Sequence, residues 1–161
     1  MRQPDFQNLL RVLQRREPDR PTLFEFFMND QVYDDLTRHE VFDNHDNLGS
    51  YRRLISAFYH AGYDYVSLAG SDFTFPHPET PHARSISQNA PGVITDRTSF
   101  AAYAWPDPDA CDYSRLDTLT ADLPSGMKMI VSGPGGVLEN AITLMGYETL
   151  CIMSAEDPDL L

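Results

Sequence analysis

Long hydrophobic runs are missing from this chain. No apolar stretch approaches the ~20 residues a membrane-spanning helix needs, and no signal-type apolar segment follows Met1. Cysteine is scarce: Cys111 and Cys151 stand far apart and form no ligand pair. That usage excludes a disulfide framework and points to a reducing, cytoplasmic setting. Positive charge is also short, with Lys+Arg 12 against Asp+Glu 24 and a formal net charge of -12. Such an acidic chain is a poor partner for nucleic acid or an anionic membrane, so neither is expected. The excess acid reads as solvated surface. What is present suffices for one domain with its own core: 161 residues, 42% hydrophobic and 11% aromatic.

The most informative stretch is Met127 to Gly146. Met127 to Val131 has the length and apolarity of a buried strand, and Ser132-Gly133-Pro134-Gly135-Gly136 turns the chain. Val137, Leu138, Ala141, Ile142 and Met145 then follow at helical spacing, with Gly146 as the stop. This is one βα unit, and βα proteins place chemistry at the C-terminal ends of strands and the loops after them.

Earlier elements follow the same logic. Asp5 caps a helix with Phe6, Leu9, Leu10 and Leu13 as its stripe, ended by Pro18 and Pro21. Thr22 to Phe27 reads as a strand. Glu25 within it needs a partner or a purpose, because an unpaired buried charge is costly; it is either an ion-pair member or a site residue. Asn29 and Asp30 follow, as site residues or as caps for a helix from Gln31 to Arg38. Leu48 to Ala61 reads as a helix ended by Gly62, and Tyr63 to Ala69 as a second strand with Gly70-Ser71-Asp72 at its end. Phe73 to Trp105 shows no sustained period and reads as a long functional lid, less ordered than the rest or held by a partner. His77 and His82 within it are ordinary surface histidines rather than metal ligands. Tyr113 to Leu123 is a helix capped by Asp112 or Ser114; Tyr147 to Ala155 receives no element. Asp157 and Pro158 read as a helix start, so the polypeptide is expected to continue.

The segments RVLQRREPDRPTLFEFF, GYDYVSL, WPDPDACDYSRLDTLTADLPSGMKMIVSGPGGVLENAITLMGYETL and EDPDLL, taken in order, resemble the uroporphyrinogen decarboxylase superfamily. They are more closely similar to its divergent methylcobalamin:coenzyme M methyltransferase-like branch. The resemblance implies an intracellular enzyme of α/β class, a (β/α)8 TIM-type barrel with parallel strands and its site at the C-terminal barrel face. A complete barrel takes ~250 residues, so residues 1–161 are expected to be a single partial barrel domain, its N-terminal portion, with the loop insertion at about 73–105. True decarboxylases of the family carry an arginine-rich segment after the first strand. Here that position reads FFMNDQVYDDLT, without arginine. The branch's zinc motif, His-x-Cys with a later Cys, belongs to the C-terminal half. The resemblance thus implies no cofactor within this chain, zinc in the complete protein, a small-molecule substrate and a corrinoid protein as partner.

Candidate catalytic residues are Glu25 and Asp72; candidate substrate-binding residues are Asn29, Ser67, Ser71, Ser132 and Gly133. Each lies on or just after a proposed parallel strand, and Glu25, Asn29, Ser67, Asp72 and Ser132 are expected to cluster on one side of the sheet or near one end. No residue is assigned to a metal. Three functions compete: methyl transfer from a corrinoid or thiol carrier, decarboxylation of a porphyrinogen-like polyacid with Asp72 near pyrrole nitrogens, and a non-catalytic truncated barrel or subunit. Open strand edges invite pairing. The edge ending at Val131 therefore predicts self-association or a second chain completing the barrel.

Overall fold

The computed structural model describes residues 2–43, 45–77 and 92–161. In chain order the elements are α1 (Phe6–Leu13), α2 (Asp30–Thr37), α3 (Gly49–Ala61), β1 (Tyr65–Ala69), α4 (Arg97–Ala102), α5 (Ser114–Asp122), β2 (Lys128–Ser132), α6 (Val137–Met145) and α7 (Tyr147–Glu156). Short 3-10 turns cover Pro108–Ala110 and Pro158–Leu160. The chain is mixed α/β and divides into two compact units: Met1–Ser71 with Asp112–Ser132, and Asp72–Cys111 with Gly133–Leu161.

The first unit holds the sheet. β1 and β2 pair in parallel, in register from Tyr65↔Lys128 to Ala69↔Ser132. Alternation sends Val66 and Leu68 to one face and Tyr65, Ser67 and Ala69 to the other. All but Ala69 are buried, so β1 is covered on both faces, as a parallel strand requires. The core gathers Leu9, Ile55, Phe58, Tyr65, Val66 and Leu119, with Tyr33 beside Phe58. Asp5 caps α1 by accepting from Gln7 N–H, and Asn29 caps α2 by accepting from Val32 N–H, both as the sequence predicts. Gly62 ends α3 in the left-handed conformation at φ 87, open to glycine without strain.

Below β1 sits a buried charge. Asp64 is only 2% exposed. It accepts from Arg2 at 3.0 Å, from Arg20 at 2.5 Å and from the Asp5 N–H at 2.8 Å. Desolvating a carboxylate costs several kcal/mol unless partners surround it, and these three donors tie the N-terminal segment to the sheet. Gly126, at φ 83, closes the same region: a Cβ there would strike the Pro4 carbonyl, and the Gly126 carbonyl accepts from Phe6 N–H at 3.0 Å.

Thr22–Phe27 does not form the predicted strand. The chain bends at Phe26, and side chains take the groups a neighbouring strand would pair. The Tyr65 hydroxyl accepts from Glu25 N–H at 2.6 Å and donates to the Glu25 carbonyl at 2.5 Å. The Tyr33 hydroxyl accepts from Met28 N–H at 2.7 Å.

The second unit packs Ile94, Leu144 and Met145 with Phe75, Tyr103 and Met153. Two sequence expectations change here. The stripe predicted for α6 included Val137 and Leu138, yet both are exposed and Leu144 is buried with Met145. Tyr147–Glu156, which received no element, is helical: Gly146 ends α6 and starts α7 at φ 78. The described parts of the proposed lid carry α4, capped by reciprocal bonds between Asp96 and Ser99. Tyr103 and Phe100 pack on Trp105 at 4.8 and 5.0 Å between ring centres. Six helical residues are too few to show a period. Residues 78–91, including His82, lie outside the described residues. Asp157, predicted as a helix cap, makes no cap bond; its carboxylate instead holds Arg97 at 2.5 and 2.6 Å.

Candidate functional site

Of the predicted residues, Ser71 and Ser132 lie at strand ends of the first unit and Ser67 in mid-strand. Ser67 is buried in mid-β1. Ser132 closes β2 opposite Ala69, and parity in the register puts it on the same face as Ser67. Its hydroxyl donates to the Leu68 carbonyl at 3.4 Å, and its own carbonyl accepts from Gly70 N–H at 3.1 Å. Ser71 follows directly. Gly70 allows the close approach, since a Cβ would press on the Val131 side chain at 2.7 Å.

Glu25 reaches the same face by way of Tyr65, whose side chain points to the side of Ser67 and Ser132. Tyr65 is the first residue of β1 and Ser132 the last of β2. A tyrosine side chain separates Glu25 from the strand, so the bond fixes the face rather than the level along it. The Glu25 carboxylate turns back and accepts from Phe26 N–H at 2.9 Å. Asn29 spends its side-chain oxygen on the α2 cap at 3.0 Å. Asp72 and Gly133 each open one segment of the second unit.

Two tyrosines near Glu25 were not foreseen as site residues. Burial pushes the Tyr65 hydroxyl up; the bond to the Glu25 backbone works against this, and the neighbouring Tyr63 and Glu25 add to it. Tyr63 rises through burial, then through Glu25 and Tyr33. Both phenols therefore stay protonated at neutral pH, and Tyr65 keeps its proton to donate to the Glu25 carbonyl. The signal in the sequence was the close spacing of Tyr63 and Tyr65 on a strand, but nothing there showed which backbone they would meet.

A second polar group lies on α3. Glu40 accepts from Ser56 at 2.7 and 2.8 Å and meets His60 Nε2 at 2.5 Å. Burial raises Glu40, but the bonds from Ser56 and His60 and the His60 charge outweigh it and leave the carboxyl below its ordinary value. The serine is bonded to the carboxylate and not to the imidazole. This order lacks the base-to-hydroxyl contact that activates a nucleophilic serine.

A cavity of about 490 Å³ is lined by Asp30, Asp34, Phe42, Asp46, Gly49, Ser50 and Arg53. None of the candidate catalytic or substrate-binding residues lines it; Asp30, read from the sequence as a site residue or a cap, does. Arg53 spans its wall, donating to Asp34 at 2.7 Å and to the Asp30 carbonyl at 3.0 Å while lying over the Tyr33 ring. The cavity's charge is thus already partly neutralised from within, and we place the candidate chemistry at the strand ends instead.

Among the described residues no group of three or more His, Cys, Asp or Glu side chains is placed to hold a metal, and Cys111 and Cys151 are free thiols. No helix among the described residues is long and apolar enough to cross a membrane. No protein-family model, curated protein or solved structure matches this chain. The functional reading rests on geometry and on the order of sequence segments.

Proposed function

We propose that this chain is the N-terminal part of a uroporphyrinogen decarboxylase-type (β/α)8 barrel that serves methyl transfer between a corrinoid carrier and a thiol. The observation that carries the reading is the parallel register: it sets Ser67 and Ser132 on one face, with turns at the C-terminal strand ends where barrel enzymes bind substrate. In this reading Ser67, Ser71 and Ser132 of the first unit orient a small polar substrate, Asn29 borders it and Glu25 supplies a carboxylate for proton handling. The described residues offer zinc no ligand set, and no step is assigned to it. The segment after Phe27 lacks the arginines that would clamp a polyacid, which ranks porphyrinogen decarboxylation below methyl transfer.

A non-catalytic subunit is the second reading. The Glu25 carboxylate and the Ser132 hydroxyl both bond to the chain's own backbone, as structural groups do. In either case the partner is a second chain that completes the barrel, or a copy pairing along the outer edge of β2. Coding sequence beyond Leu161 tests the choice. A continuation with His-x-Cys and a later Cys, in a protein that demethylates methylcobalamin in the presence of a thiol, supports methyl transfer. A full second half without those residues and without turnover overturns it.

A further inference from the structure

We propose that α4 is an ion-latched strap, held closed against Trp105 by the Arg97–Asp157 pair and released when that pair is screened. The segment that carries α4 is anchored at both feet. Ile94 is 2% exposed, and its N–H donates to the Leu144 carbonyl at 2.9 Å. Tyr103 packs in the same apolar cluster, and its hydroxyl donates to the Pro76 carbonyl at 2.8 Å. Between these feet α4 buries none of its six residues. So short a helix is marginal unless packing fixes it. Contacts at its two ends hold it down instead. Arg97 Nε and Nη2 grip the two carboxylate oxygens of Asp157, at the end of α7, at 2.6 and 2.5 Å. At the far end the Phe100 ring meets Trp105 at 5.0 Å, and the Phe100 carbonyl accepts from the indole N–H at 3.3 Å.

Of these contacts the ion pair is the one that salt reaches. The Arg97 side chain is 62% exposed and that of Asp157 30%. A two-pronged arginine–carboxylate pair fixes orientation as well as charge. An exposed one is nevertheless worth little free energy, and ions in solution weaken it further. The feet rest on apolar burial and backbone bonding, which screening does not touch. Closed and open forms of α4 are therefore separated by a small gap, and a small gap is what modest changes in conditions shift. Segments with few buried contacts are also those that open locally while the rest stays folded. The reciprocal bonds between Asp96 and Ser99 keep the first turn of α4 capped as it moves. Opening parts Phe100 from Trp105 and bares the indole. The inference goes beyond the methyl-transfer reading: it concerns the second unit alone and needs no turnover.

Trp105 is the single tryptophan of the chain, so quenching of its fluorescence by acrylamide reads the strap without a label. In the parent, quenching should rise as NaCl goes from about 0.01 M to about 1 M and the screening length falls from ~30 Å to ~3 Å. Asp157→Asn keeps the side chain's shape and removes its charge. At low salt it should already show the raised quenching, and it should lose the response to NaCl. Amide exchange at residues 97–102 should quicken roughly threefold in this variant, while the Ile94 amide is unchanged. Arg97→Gln should behave alike, and the double variant should add nothing to either single one. Quenching in the parent that is indifferent to salt overturns the proposal, and that measurement stands whether or not the variants fold. So does an Ile94 amide that quickens as much as α4, since the pair would then clamp the whole unit. Additive effects in the double variant overturn it too.

Discussion

β1 and β2 are paired residue for residue, have equal length and similar apolar content, yet live in different surroundings. Leu68 and Val131 are direct register partners; Leu68 is 4% exposed and Val131 48%. β1 packs against α3, and its Tyr65 meets Phe24 of the tyrosine-held segment. β2 has β1 as its paired neighbour and no other strand among the described residues. A strand's apolar sequence states what it tolerates; burial depends on what else is supplied to cover it.

Replacing the two register partners is the sharpest way to break that comparison. Leu68→Ala should cost about 3 kcal/mol, because it removes buried methyl groups and leaves a cavity. Val131→Ala should cost less than about 1 kcal/mol, since half of its side chain is already in water. Urea denaturation of both variants reads the difference directly, and equal losses would mean that β2 is as well covered as β1 in solution.

The anchor below β1 ranks next. Asp64→Ala strips the carboxylate from Arg2 and Arg20 and frees the Asp5 N–H. Removing one partner from a buried ion cluster costs on the order of 3–5 kcal/mol when the rest stay buried. The two arginines are partly exposed and can rehydrate, so about 2 kcal/mol is expected here. Faster amide exchange at residues 5–8, with β2 unaffected, would show that the clasp serves the N-terminal segment.

A smaller effect is expected from Tyr65→Phe. The ring keeps its packing, while Glu25 loses the partner of both its backbone groups. About 1 kcal/mol is expected, with exchange accelerated at the Glu25 amide. If Glu25 exchange is unchanged, the hydroxyl is not what replaces the missing strand neighbour.

The smallest effect belongs to Glu40. Its carboxyl is held below its ordinary value of 4.5, so folding favours its ionised form. That contribution is complete above the ordinary value and is lost as pH falls through the lowered one. Glu40→Gln should therefore lower the melting temperature slightly at neutral pH, and the gap should close as pH falls below 4.5 and through the lowered value. A gap that persists in acid would assign the effect to packing.

Much of the local structure was legible in the residues. Helix spacing, the Asp5 and Asn29 caps, the stop at Gly62 and the two strands on either side of the long insertion all follow from short-range sterics and hydrogen bonding that each segment carries with it. The pleat alone predicts that Ser67 and Tyr65 share a face. Thr22–Phe27 shows where that reasoning stops: its pattern is that of a strand, but a strand exists only where a neighbour supplies a ladder, and here two tyrosine hydroxyls from distant positions take that place. For the candidate site, the sequence nominated Glu25, Ser67 and Ser132 by their nearness to strands. It could not show that the Glu25 carboxylate would close on Phe26, or that Ser132 would reach back to Leu68. Periodicity and capping are set by neighbours three or four residues apart, so the sequence by itself determined them. Which strand is covered, and which polar groups meet, depends on contacts between residues tens of positions apart, and only the tertiary structure decided those.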